Sequence, residues 1–233
     1  MKVIINADDF GLSRGVSDGI IEAHKNGVVD STTLMMNGLD IDYAVQCAKE
    51  NPLLKTGVHL VLTWGRPILQ KGIPSLINSE KAFRLNNNYE RLAIPNTSEV
   101  YKEWKAQIEA FLATGLSLHH IDSHHHIHGW KPLTEVSLAL AKEYNVPLRY
   151  QDSLAGNDNF LLTDSLYTGF YGDNLSKDFF YEIKSEDIES VEVMTHPAYI
   201  DNTLKNNSSY LEQREKELEI LTSVSRPKWS EKL

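Results

Sequence analysis

The chain of 233 residues predicts an α/β fold, a TIM-like (β/α) barrel that need not reach eight regular units. Three observations predict it. Short β-rich runs alternate with helical segments about six times, which implies parallel strands joined by crossover helices. No GxGxxG or Walker A loop occurs, so nothing supports the nucleotide-binding form of a parallel sheet. Titratable residues recur where strands end, and parallel α/β folds gather functional residues at the C-terminal ends of their strands.

Each element follows from local chemistry. Val3, Ile4 and Ile5 open a buried strand that runs to Asp8 and Asp9. Ser13 caps a helix carrying Ile20, Ile21 and Ala23, and Gly27 stops it. STTLMMNG, residues 31–38, is the second strand. Residues 42–51 are helical before Pro52, and KTGVHLVLT, residues 55–63, is β-rich. A polar stretch with Pro and Asn, residues 64–97, is long enough to expect a functional or partly disordered loop. Residues 97–115 form a helix with a Thr97 cap and a closing Gly115. HHIDSHHH, residues 119–126, is the next strand, 131–145 a helix and 147–151 a strand. A helix near 175–186 precedes the strand VEVMTHP, and residues 209–223 form the last helix. No linker, repeat or low-complexity segment divides the chain, so residues 1–233 are expected to form one domain.

Composition excludes several roles. The net charge of -9 argues against phosphate-backbone recognition and against an anionic membrane surface. A single cysteine, Cys47, permits no intrachain disulfide and suggests a reducing, cytoplasmic setting. The first apolar run meets acid at Asp8, too early for a signal-peptide core. No window approaches the ~18 apolar residues of a membrane helix.

The candidate functional residues are Asp8 and Asp9, His59, His124 and His196 at or toward strand ends, and Arg149 on the fifth strand. Six of the nine histidines fall within HHIDSHHHIHGW, residues 119–130. In a regular strand, side chains alternate. His120, Asp122, His124, His126 and His128 would share one face, and His119 and His125 the other. They cannot all bind one ion. Each candidate alone has an ordinary use: Asp-Asp as a turn or cap, His59 as a core histidine, Arg149 as an ion pair, His196 as a strand-end residue. Their joint occurrence at strand ends favours a metal site.

NADDFGLS (6–13), STTLMMNG (31–38), GVHLVLT (57–63), HIDSHHHIH (120–128) and MTHPAYIDN (194–202) resemble, in order, the motifs of the YdjC-like carbohydrate deacetylases, which include chitooligosaccharide deacetylases. The resemblance extends to the LEILTS segment near residue 223. It implies a (β/α)-barrel hydrolase that removes an N-acetyl group from a small sugar with one divalent metal ion. By resemblance Asp9, His59 and His124 are the metal ligands and Asp8 the catalytic base. His196 as general acid and Arg149 as the partner of Asp8 follow by analogy with the wider polysaccharide deacetylases. The family points to Mg, while a carboxylate with two imidazoles also suits Zn, Mn, Fe or Co. A homodimer is a further expectation from the resemblance. Adjacent Asp8 and Asp9 can share a site only if the strand bends there, and Gly11 makes a bend plausible.

Two other readings stand beside this one. The His-x-His pairs His124/His126 and His126/His128 also suit barrel amidohydrolases and metal phosphoesterases, which would take two ions. A non-catalytic carbohydrate-binding protein would need neither a base nor an acid. Asp122, His125, His126 and His128 receive no individual role, and Trp64, Trp130 and Tyr199 are candidates for stacking on sugar rings.

Overall fold

The computed structural model describes residues 1–233. Its elements run β1 (Lys2–Phe10), α1 (Arg14–Lys25), β2 (Ser31–Leu34), α2 (Ile41–Glu50), β3 (Lys55–Leu60), α3 (Thr97–Ala113), β4 (Ile121–Ser123), α4 (Thr134–Tyr144), β5 (Ser165–Tyr167), α5 (Phe179–Glu182), β6 (Ser190–Thr195), α6 (Asn202–Asn207), α7 (Glu212–Ser223) and β7 (Glu231–Lys232). The strands pair in parallel in the order β4-β3-β2-β1-β6-β5, with β7 beside the start of β1. Single-residue parallel bridges, Ile121 to Leu148 and Leu148 to Leu161, continue from β4 toward the segment that leads into β5. The result is a TIM-like barrel with fewer than eight regular units.

β1 is buried along nearly its whole length, as a strand covered on both faces should be. Its partner β6 is buried throughout. Ser13 caps α1 by accepting the Val16 N–H at 3.3 Å. Gly19 of α1 meets the backbone of Ala198, where an added Cβ would lie 2.4 Å from its Cα. Only glycine allows that approach. It seats the segment after β6, which carries His196, directly on α1.

The barrel interior departs from the usual filling of branched apolar side chains. Asn6, Asp8, Thr33, His59, Asp122, Arg149 and Glu192 are all buried, while the apolar core extends into the helix layer through residues such as Ile20, Trp104 and Leu140.

Several sequence expectations are corrected. The cap of α3 is Asn96, whose side chain accepts the Ser98 N–H at 2.9 Å, so Thr97 already lies inside the helix. The expected strand at 119–126 is regular only at Ile121–Ser123; the chain then turns, with His125 and His126 at φ 56° and 57°. Residues 147–151 make bridges at Leu148 but no regular strand. The helix near 175–186 is a single turn, Phe179–Glu182. The 64–97 stretch is pinned by polar residues of α3, of which Glu103 is fully buried and Glu99 partly so. Glu103 accepts the N–H groups of Ile68 at 2.8 Å and Leu69 at 3.0 Å, and Glu99 accepts that of Ser75 at 2.7 Å. Gln107 holds both backbone groups of Val61.

Candidate active site

β1 brings Asp8 and Asp9 to one place by breaking its own regularity. Asp9 has φ 68°, and the register with β2 slips between Ala7 and Phe10. A left-handed Asp inside a strand is uncommon, and such backbone is kept where the surroundings enforce it. The bend lies at Asp9 itself; Gly11, at φ 83°, follows it.

Asp9 Oδ1 lies 3.4 Å from His59 Nε2 and 2.9 Å from His124 Nδ1. Donor atoms of the three residues all fall within 4.8 Å of one another. Ligands bound at about 2.1 Å sit roughly 3.0 to 3.4 Å apart in octahedral and tetrahedral sites, so the trio fits one divalent ion. His59 Nδ1 is 2.7 Å from Asp122 Oδ1, the kind of carboxylate–imidazole support that orients a ligand. Burial opposes charge on His59, but Asp122, hydrogen bonding and the neighbouring acids outweigh it and hold the imidazole up at about 10. Buried between carboxylates, it is thus a cation where no other cation is bound.

Asp8 belongs to a different cluster. Arg149, fully buried, forks onto it through Nη1 to Oδ2 at 2.7 Å and Nη2 to Oδ1 at 2.6 Å. The same guanidinium reaches Asp122 Oδ2 at 2.8 Å and Glu192 Oε1 at 2.7 Å. Asn6 donates to Asp8 Oδ1 at 2.9 Å. Burial pushes the Asp8 carboxyl up, but Arg149 more than compensates and holds it well below the ordinary carboxylate range. Glu192, on the far side, is raised to about 7 by burial despite Arg149. Asp122 and Glu192 also approach His120 closely enough for a cation site, yet Arg149 is already the cation there.

His196 follows β6. Its Nε2 is 3.9 Å from Asp8 Oδ2, and its backbone N–H donates to Glu217. Burial lowers the imidazole to about 4 against the pull of Asp8 and Asp9, so it is neutral at pH 7. Tyr210 donates to Glu217 at 2.6 Å and stacks on Tyr171 at 4.3 Å between ring centroids.

A cavity of about 640 Å³ is lined by Asp8, Asp9, His59, His124 and His196, with Trp64, Tyr171 and Asn86 among its other walls. Arg149 stands behind Asp8, outside that lining. The remaining histidines separate by environment. His128 is buried with Nδ1 2.6 Å from Ser123 Oγ, a structural bond. His125 meets Thr63 Oγ1 at 2.9 Å. His126 lines the cavity with Nδ1 unpartnered. His119 and His120 pair with each other at 2.9 Å. Of the aromatic candidates, Trp64 reaches the cavity, while Trp130 packs near Tyr89 and Tyr199 lies outside the lining.

The sequence model of the family described as YdjC-like protein matches residues 2–232. The chain belongs to this family. A relative from Oceanobacillus iheyensis, named carbohydrate deacetylase, is 53% identical over 231 residues, which cover 99% of this chain and 100% of the relative. One from Brevibacillus brevis with the same name is 45% identical, covering 96% and 92%. A solved structure from Enterococcus faecalis, described provisionally as a cellobiose-phosphate cleavage protein, superposes with a TM-score of 0.88 at 40% identity, over 95% of this chain and 90% of that one.

Arg214 and Glu217 of α7 were not foreseen. Both are buried beside the YdjC-like site, Arg214 with Nη2 2.6 Å from Asp9 Oδ2. Their segment, EQREKELEILTS, reads as a solvated helix, and no periodic signal marks them. Burial raises Glu217 to about 8, although Tyr210, the His196 N–H and Arg214 favour its charge. Folding therefore binds its proton more tightly than the unfolded chain does at about 4.3. The stability this confers is full below about pH 4 and is lost as pH rises through 8. Glu217→Gln in metal-stripped protein should accordingly gain on wild type in melting temperature from pH 5 to pH 9. A difference constant over that range would contradict the assignment.

Proposed function

We propose that this chain is a divalent-metal-dependent carbohydrate N-deacetylase acting on small N-acetylated sugars such as N,N′-diacetylchitobiose. The observation that carries the reading is the convergence of Asp9, His59 and His124 on one cavity, beside a separate carboxylate, Asp8, held by Arg149. The names of the two relatives above support the same reaction class.

Asp9, His59 and His124 would hold the ion, which supplies Lewis acidity toward water and toward the acetamide carbonyl. The chain does the rest. Asp8, kept ionised by Arg149, accepts a proton from the attacking water. The amide C–N bond breaks only if its nitrogen gains a proton. His196 Nε2 is the nearest imidazole to Asp8, at 3.9 Å. Neutral at pH 7, it takes the proton from Asp8 and passes it to the leaving nitrogen. Acetate and a free amino sugar result. Trp64 and Tyr171 offer aromatic faces to sugar rings, and the cavity volume lies within the range of small-molecule sites. Arg149 in the second acidic cluster disfavours a two-ion reaction.

Metal-stripped protein, supplied separately with Mg, Mn, Co and Zn, should release acetate from N,N′-diacetylchitobiose only when an ion is present. Full release without any ion would sink the metal role. No release with every ion would remove this sugar as substrate.

A further inference from the structure

Asp8 and Asp9 are neighbours in sequence, yet each has its own arginine, drawn from a different part of the chain. Arg149 forks onto Asp8. Arg214, on α7, places Nη2 2.6 Å from Asp9 Oδ2. We propose that Arg214 is a positioning residue for the metal: it occupies Asp9 Oδ2 and so commits Asp9 to bind an ion through Oδ1 alone. This rests on the metal site proposed above.

Three features carry the inference. Oδ1 is the Asp9 oxygen that faces His59 Nε2 and His124 Nδ1, so the arginine and the two imidazoles divide the carboxylate between them. Arg214 is itself held in place, with Nε donating to the Tyr210 carbonyl at 3.0 Å and the residue 3% exposed. Its Nη1 is buried with no acceptor in the protein, so Nε and Nη2 alone fix the guanidinium against Tyr210 and Asp9. A carboxylate free at both oxygens can turn and bind an ion with either or both. Groups that fix a ligand in this way are typically worth 10- to 100-fold in metal affinity.

The test is a calorimetric titration of metal-stripped protein with Zn and with Mn. Circular dichroism and melting of each ion-free variant establish folding. Arg214→Met and Arg214→Gln should weaken ion binding about 10-fold or more. Arg214→Lys keeps the charge but cannot hold the Tyr210 carbonyl and Asp9 Oδ2 at once in the guanidinium's geometry, and should fall between them and wild type. Folded neutral variants that bind as tightly as wild type, or more tightly, overturn the proposal. If neither neutral variant folds, Arg214→Lys decides: a Kd raised at least about threefold supports the role, and an unchanged Kd overturns it. Wild type that binds neither ion would instead defeat the metal site itself, which separates the two failures.

Discussion

Replacing Asp8 by asparagine is expected to lower the rate of acetate release by about 10²- to 10⁴-fold, the usual worth of a general base. Metal binding should stay within a few-fold of wild type. The two effects separate because Asp8 is outside the trio of Asp9, His59 and His124. The fold should survive as well. Asparagine keeps the side-chain size, and Arg149 retains Asp122 Oδ2 at 2.8 Å and Glu192 Oε1 at 2.7 Å. Single-turnover acetate release and a parallel metal titration check both halves. Unchanged turnover in the variant would remove Asp8 from the base role. Equal loss of turnover and metal affinity would mean that Asp8 acts through the ion.

Arg149→Met should be the most damaging substitution for stability. It leaves Asp8 and Glu192 buried without their cation and Asp122 with His59 alone. Removing one partner of a buried ion pair costs about 3 to 5 kcal/mol. At roughly 2 to 4 °C per kcal/mol for a domain of this size, the melting temperature should fall by about 6 to 20 °C. The pH dependence has a definite sign. Arg149 holds Asp8 below its unfolded value, so the stabilisation is present above about pH 4 and is lost as pH falls through the lower folded value. The gap between wild type and variant should be widest near neutrality and shrink in acid. Urea unfolding at pH 7 and at about pH 2.5 measures it. A gap under about 1 kcal/mol at pH 7, as for an exposed pair, or one that widens in acid, would contradict the network.

Strand–helix alternation and the acids and histidines at strand ends were legible because they depend on neighbours close in sequence. The apolar run before Asp8 and the Ser13 cap of α1 both act over a few residues. Position at a strand end then places Asp9, His59 and His124 on one face, because parallel strands share their C-terminal edge. Alternation misled within the histidine run. It assumes a strand that continues, whereas β4 ends at Ser123 and the chain turns through left-handed His125 and His126. His128 therefore bonds Ser123 and the Arg149 carbonyl, away from the metal candidates.

Family membership and the order of its motifs, the parallel barrel and the residue types at its rim could be read from the chain itself. Only the tertiary structure decided which groups meet. Arg214 reaches Asp9 across 205 positions of sequence, and Arg149 reaches Asp8 across 141. A polar residue on a helix has the same local pattern whether it faces water or a buried carboxylate. What distinguishes the two is the charge that waits across the fold, and burial makes that pairing obligatory. The strained φ of Asp9, which turns both aspartates toward one cavity, is likewise held by contacts that no short stretch of sequence contains.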